Sequence, residues 1–140
     1  MTARRVVVAS ALTALVAAAL PALSSPAVAG IGPKVDHGCI ESVPEPGTTE
    51  KVEICYTVFQ PRTADRAHKV PMIMHSHGWA GSRTKDPADF SKWLDAGFGV
   101  ISFDQRGFGE SGGKAHVQNP AIEGKDVQRL VGLVARMPWV

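Results

Sequence analysis

The sequence holds only two cysteines and one tyrosine in 140 residues, and aromatic residues make up 6% of it. Two cysteines exclude a disulfide-dense miniature scaffold and a four-cysteine zinc site. Lysine and arginine form no cluster, and the formal net charge is only +2. That excludes the electrostatic footprint of a nucleic-acid or acidic-membrane binder. No internal repeat and no low-complexity tract interrupts the chain, which excludes solenoids and arrays. Long hydrophobic runs are scarce too. The longest is the 15-residue stretch Val6 to Leu20, too short and too proline-flanked to span a bilayer well.

That run follows the basic segment "MTARR" and precedes small residues ending in Ala27-Val28-Ala29. Basic start, short apolar centre and A-x-A cleavage signal together predict a secretory signal peptide over residues 1–29, with a secreted mature chain beginning at Gly30. Its removal leaves 111 residues carrying 13 basic and 13 acidic side chains, because Arg4 and Arg5 leave with it. The mature chain is therefore neutral and expected to be free of membrane and of nucleic acid.

Export bears on the cysteines. Cys39 and Cys55 flank "IESVPEPGTTEKVEI", with Pro46-Gly47 as its turn signal. Alternating Val52, Ile54, Tyr56 and Val58 mark the second arm as a strand. A hairpin in an oxidising compartment predicts a Cys39–Cys55 disulfide; the alternative is two unrelated buried thiols.

Beyond Gln60 the pattern changes. "VPMIMHSH" is a short apolar run suited to a buried strand. Asp86-Pro87-Ala88-Asp89 opens a helix whose Phe90, Trp93 and Leu94 share one face, and Gly97 closes it. "FGVISF" is the next strand and ends at Asp104. Asn119-Pro120 opens a second helix with a buried stripe of Val127, Leu130, Val131, Val134 and Met137; after Pro138, "WV" reads as the start of another strand. Hairpin followed by strand–helix alternation predicts an α/β fold: a mostly parallel sheet with an N-terminal antiparallel hairpin. A complete sheet of that kind needs on the order of 200 residues, so residues 30–140 are expected to be the N-terminal portion of a larger domain.

"FDQRGFGESGG", Phe103 to Gly113, matches two short motifs, and its "GESGG" sits one methylene away from a third, the protease "GDSGG". As G-x-G-x-x-G it lacks the helix that must start at its last glycine to receive a pyrophosphate. As a protease "GDSGG" it stands in the wrong fold class, since that motif needs an all-β frame. As G-x-S-x-G it fails on geometry. Ser111 lies seven positions after Asp104 and eight before Asn119, in mid-loop, whereas a nucleophile turn joins strand to helix directly. Local turn hydrogen bonding is the role expected of Ser111.

A fourth reading covers roughly residues 50 to 140. "MIMHSHGWAGSR", a helix, then "DAGFGVISFDQRGFGESGG" resembles the α/β-hydrolase superfamily, and most of all the exported prolyl dipeptidyl peptidase and cocaine-esterase group. The resemblance implies a serine hydrolase that cleaves small-molecule esters or peptides by acyl transfer, without cofactor or metal. It implies an oxyanion loop at His77 and Gly78, with the Trp79 N–H as donor and its ring walling the acyl pocket; the alternative is a glycine turn with the tryptophan packed on the core. It gives Asp104, Arg106, Gly107, Gly109 and Ser111 to the Asp-x-Arg-Gly-x-Gly-x-Ser loop, with Asp104 and Arg106 as structural residues. The triad would follow Val140, so residues 30–140 alone are expected to be inactive. His75 and His77 share a face and lack the further ligands of a zinc motif, and His116 is expected to be a solvated loop residue. A non-catalytic secreted binding protein on the same scaffold is the alternative.

Overall fold

The computed structural model describes residues 32–140; the signal segment 1–29 and the start at Gly30 lie outside the described residues. Four strands form one sheet: β1 (Lys34–Glu41), β2 (Glu53–Gln60), β3 (Met72–Ser76) and β4 (Gly99–Phe103), in the order β1-β2-β4-β3. β1 and β2 are the antiparallel hairpin, β2 continues antiparallel to β4, and β3 lies parallel to β4. This is the α/β-hydrolase-type sheet expected, mixed rather than mostly parallel over the described residues.

Cys39 and Cys55 stand directly opposite in the hairpin and are joined by a disulfide with an S–S distance of 2.01 Å. The turn end carries Gly47 at φ +80°, a conformation glycine adopts without strain.

Helices cover both faces. A 3₁₀ turn at Pro87–Phe90 leads into α1 (Ser91–Asp95), and the Asp86 side chain caps it by accepting the Ala88 N–H. Phe90 and Leu94 pack with Phe59 and Val100 on one face of the sheet. Trp93 does not join them: it is 51% exposed and meets Phe98 edge-on, because the 3₁₀ turn rotates it off the α-helical stripe. α2 (Glu123–Val134) lays Leu130 and Val134 on the other face with Ile54, Val58, Ile101 and Phe103. Of its expected stripe, Val127 and Val131 are exposed among the described residues. The regular helix also starts later than Asn119-Pro120. Asn119 caps a turn through the Ala121 N–H, and α2 begins at Glu123.

β4, flanked on both sides, is buried at every position, whereas β3 is half-buried throughout because only one edge is paired. "WV" forms no strand here. Trp139 is nonetheless buried, its carbonyl accepts the Val70 N–H just ahead of β3, and its ring leaves no room for a side chain at Gly99. Among the described residues no helix is long and apolar enough to cross a membrane.

Candidate functional site: the loops after β3 and β4

Parallel pairing, with Ser76 opposite Phe103, sends the loops that follow β3 and β4 out at the same end of the sheet. In open α/β sheets that carboxyl end is where ligands bind. The first loop is a tight turn closed by a 3.0 Å hydrogen bond from the Gly81 N–H to the Gly78 carbonyl. Its corner is Trp79-Ala80, with Ala80 at φ +59°, and not His77-Gly78 as the sequence suggested. Gly81 is the glycine that packing demands, since a Cβ there would stand 3.0 Å from the His77 Cβ and 3.1 Å from the Gly78 carbonyl oxygen. Open space surrounds Gly78. Among the described residues no acceptor pairs with the Trp79 N–H.

His77 spans the two loops. Its Nδ1 is 2.7 Å from the Gly78 carbonyl oxygen and its Nε2 is 3.1 Å from the Gln105 N–H. The Gln105 side chain donates in turn to Ser76 Oγ at 2.8 Å and to the His77 carbonyl at 2.7 Å. Phe108 closes the assembly, edge-on to His77 at 5.5 Å and to Trp79 at 5.1 Å between ring centroids. Trp79 itself is 73% exposed. The exposed ring and the Trp79 N–H thus share one open face of the turn.

Beneath the loops lies Asp104, buried at the end of β4. It accepts the Arg83 and Glu110 N–H groups and pairs with the Arg83 guanidinium, which also reaches Glu110 and Thr57. A Cβ at Gly109 would fall 2.2 Å from the Asp104 carboxylate, and Gly109 is at φ +54°. Gly107, at φ +80°, likewise has the Ala115 backbone nitrogen 2.7 Å from where its Cβ would be. The Ser111 hydroxyl donates to the Asp104 carbonyl and accepts the Cys55 N–H, each at 2.8 Å. It thus carries the β2–β4 ladder past its end, and both its hydrogen-bonding roles are used in doing so.

Among the described residues Arg106 is the largest fully buried side chain. Asp126 on α2 meets it bidentately at 2.9 and 2.7 Å, Glu45 meets it at 3.1 Å, and the Val43 carbonyl accepts at 2.8 Å. One guanidinium therefore fixes the loop after β4, the hairpin turn and α2 together. Burial of Glu45 works to raise its carboxyl pKa. Hydrogen bonds from His116, the Lys114 N–H and Arg106 outweigh that and hold it at about 2. His116 is accordingly not a solvated loop residue: its Nε2 is 2.5 Å from Glu45, in a side chain 26% exposed. Glu110 is also held at about 2, by Lys85 first and then Arg83.

A cavity of about 270 Å³ opens at the same end of the sheet, lined by Ser76, Phe103, Gln105, Gln118, Glu123 and Val127. A wider hollow of about 440 Å³ along Glu45, Glu50, Lys51 and Glu53 is polar and away from Trp79. His75 turns its ring to Ser102 at 3.0 Å and to Phe90, and His77 is engaged by Gly78 and Gln105, so the two imidazoles do not converge.

Sequence reading missed Arg83, Gln105, Phe108, Gly81, Glu45 and Asp126. The burial of Asp104 and Arg106 requires partners of opposite charge, but spacing alone does not say which acid or base folds back to meet them.

Residues 50–140 match the family of X-Pro dipeptidyl-peptidases, S15. An uncharacterised 31.7 kDa protein from the traX-finO intergenic region of Escherichia coli is 40% identical over 64 residues. Those residues are 45% of this chain and 22% of that protein, so the chain's match spans about a fifth of the relative's length. A candidate dipeptidyl aminopeptidase IV from Bacteroides ovatus shares the fold with a TM-score of 0.55 and 23% identity, over 77% of this chain and 16% of that one. Acetyl xylan esterase 1 from Thermoanaerobacterium sp. does so with a TM-score of 0.51 and 22% identity, over 79% and 42%. The likeness to the two structures is one of fold, whereas the family match takes in β2, both loops and α2: the chain belongs to the X-Pro dipeptidyl-peptidase family S15, on an α/β-hydrolase scaffold.

Proposed function

We propose that this chain is the N-terminal part of a secreted serine hydrolase and supplies its oxyanion loop. The observation that carries the reading is the unpaired Trp79 N–H, raised on the Gly78–Gly81 turn at the carboxyl end of a parallel strand pair. Acyl transfer needs such a donor. When a serine attacks an ester or amide carbonyl, negative charge develops on the carbonyl oxygen, and a prepositioned N–H meets it without reorganisation. Trp79 and Phe108 wall the acyl side, and the cavity beneath Gln105 and Ser76 is where the nucleophile turn packs.

The nucleophile, its acid and its histidine belong to residues beyond Val140. Ser111 is not the nucleophile in this reading, because its hydroxyl is committed to two backbone groups and among the described residues no imidazole bonds to it. The substrate class is a small ester or an X-Pro peptide. Export follows from the basic, apolar and A-x-A pattern of residues 1–29.

The test is hydrolysis of p-nitrophenyl acetate and of X-Pro p-nitroanilides by the intact protein purified from culture medium. Turnover that a fluorophosphonate abolishes supports the proposal. A protein that binds such substrates yet turns over neither is a binding protein on a hydrolase scaffold, and the proposal fails.

A further inference from the structure

We infer that His77 is the positioning residue that aims the Trp79 N–H, acting through the Gly78 carbonyl; this rests on the oxyanion reading above and specifies how that donor is held. The chemistry of the partners settles the tautomer. The Gly78 carbonyl oxygen, 2.7 Å from Nδ1, can only accept, so Nδ1 carries the proton. The Gln105 N–H, 3.1 Å from Nε2, can only donate, so Nε2 carries the lone pair. His77 is therefore a neutral imidazole protonated at Nδ1, with each nitrogen matched to one loop.

The consequence for Trp79 follows from peptide geometry. No peptide bond among the described residues is cis, so the Gly78 C=O and the Trp79 N–H share a plane and point in opposite directions. Two donors, His77 Nδ1–H and the Gly81 N–H, hold that carbonyl toward the inside of the turn. Whatever fixes the carbonyl inward fixes the N–H outward, toward the open face beside the Trp79 ring. Left to the Gly81 bond alone, the turn depends on Ala80 staying at φ +59°, a left-handed region that non-glycine residues enter at a cost. The imidazole supplies a second restraint that does not pass through Ala80. Gln105 and Phe108 then hold the imidazole, one through Nε2 and one through its ring edge. Both ring nitrogens of His77 are thus engaged by the loops themselves.

Two substitutions separate the two nitrogens. In His77→Asn the side-chain amide N–H falls where Nδ1–H was and keeps the bond to Gly78. In His77→Gln the amide oxygen reaches the Gln105 N–H while the donor to Gly78 is lost. On the intact enzyme with p-nitrophenyl acetate, His77→Gln lowers kcat by about 10²-fold, the effect of losing one oxyanion donor, with KM little changed, and His77→Asn recovers most of that loss. Long-range ¹H–¹⁵N correlation of histidine-labelled intact protein shows the Nδ1–H tautomer in the signal that both variants abolish. The Trp79 amide resonance stays in place in His77→Asn and moves in His77→Gln. An Nε2–H tautomer, or equal losses in the two variants, overturns the inference. Should the wild-type protein lack serine-dependent turnover, the function reading fails by itself, and the tautomer and the Trp79 amide still decide this one.

Discussion

The guanidinium of Arg83 and the carboxylate of Asp104 form an ion pair with side-chain exposures of 4% and 1%, joining the loop after β3 to the end of β4. The loop after β3 and the loop carrying Phe108 are thereby mounted on one another rather than separately on the sheet. Removing one partner leaves the other charge buried and unpaired, which costs about 3–5 kcal/mol. Arg83→Leu is therefore expected to lower stability by that order in urea unfolding, and the double variant Arg83→Leu/Asp104→Leu to lose less. A single-variant loss below about 1 kcal/mol would show that the pair behaves as an exposed one.

Gly109→Ala sets a methyl group against the Asp104 carboxylate at φ +54°. The carboxylate cannot retreat, because Arg83 and two N–H groups hold it. We expect a loss of about 2 kcal/mol or more from the left-handed backbone and the displaced ion pair together. Gly78→Ala, with open space around it, is expected to change stability by less than about 0.5 kcal/mol. Thermal melts of the two variants side by side check the contrast.

Glu45 gives the fold a signed acid dependence. Its folded pKa of about 2 lies below the ordinary value of 4.5, so the stabilisation it provides is complete above pH 4.5 and is lost as pH falls toward 2. Glu45→Gln removes the titrating group. The Tm difference between wild type and Glu45→Gln should be largest near neutrality and shrink over that window. A difference that stays constant from pH 6 to pH 2 contradicts the assignment.

The Cys39–Cys55 disulfide closes a 16-residue separation, for which the chain-entropy model gives about 3 kcal/mol. Because the Cys55 backbone also serves Ser111 and Asp104, its loss reaches the loop after β4. Cys39→Ser/Cys55→Ser is expected to lower stability by about that amount and to speed hydrogen exchange at Asp104 and Glu110. Unchanged exchange at both positions would separate the disulfide from the loop.

Local signals in the sequence carried the hairpin, the strand–helix alternation and the two loops. The Pro46-Gly47 turn, the Asp86 cap and the two-residue alternation of β2 each act within a few residues, and the structure contains all three. The reading erred where a distant neighbour decides. Val127 and Val131 have helical spacing, yet among the described residues both stand exposed. Trp93 left its stripe when the first turn tightened to 3₁₀. His116 looked solvated until Glu45, 71 positions earlier, came to meet it. The site divides the same way. His77, Gly78, Trp79 and the Asp104–Ser111 segment carry a contiguous pattern, whereas Arg83, Gln105 and Phe108 matter only through what they touch across the loops.

The most direct test of the central claim is to label the intact protein with a fluorophosphonate and locate the modified serine by peptide mass spectrometry. The account predicts one labelled serine in a peptide C-terminal to Val140, with Ser111 unmodified and a Ser111→Ala variant labelled at the wild-type rate. A label on Ser111, or no serine labelled in folded protein, would contradict it.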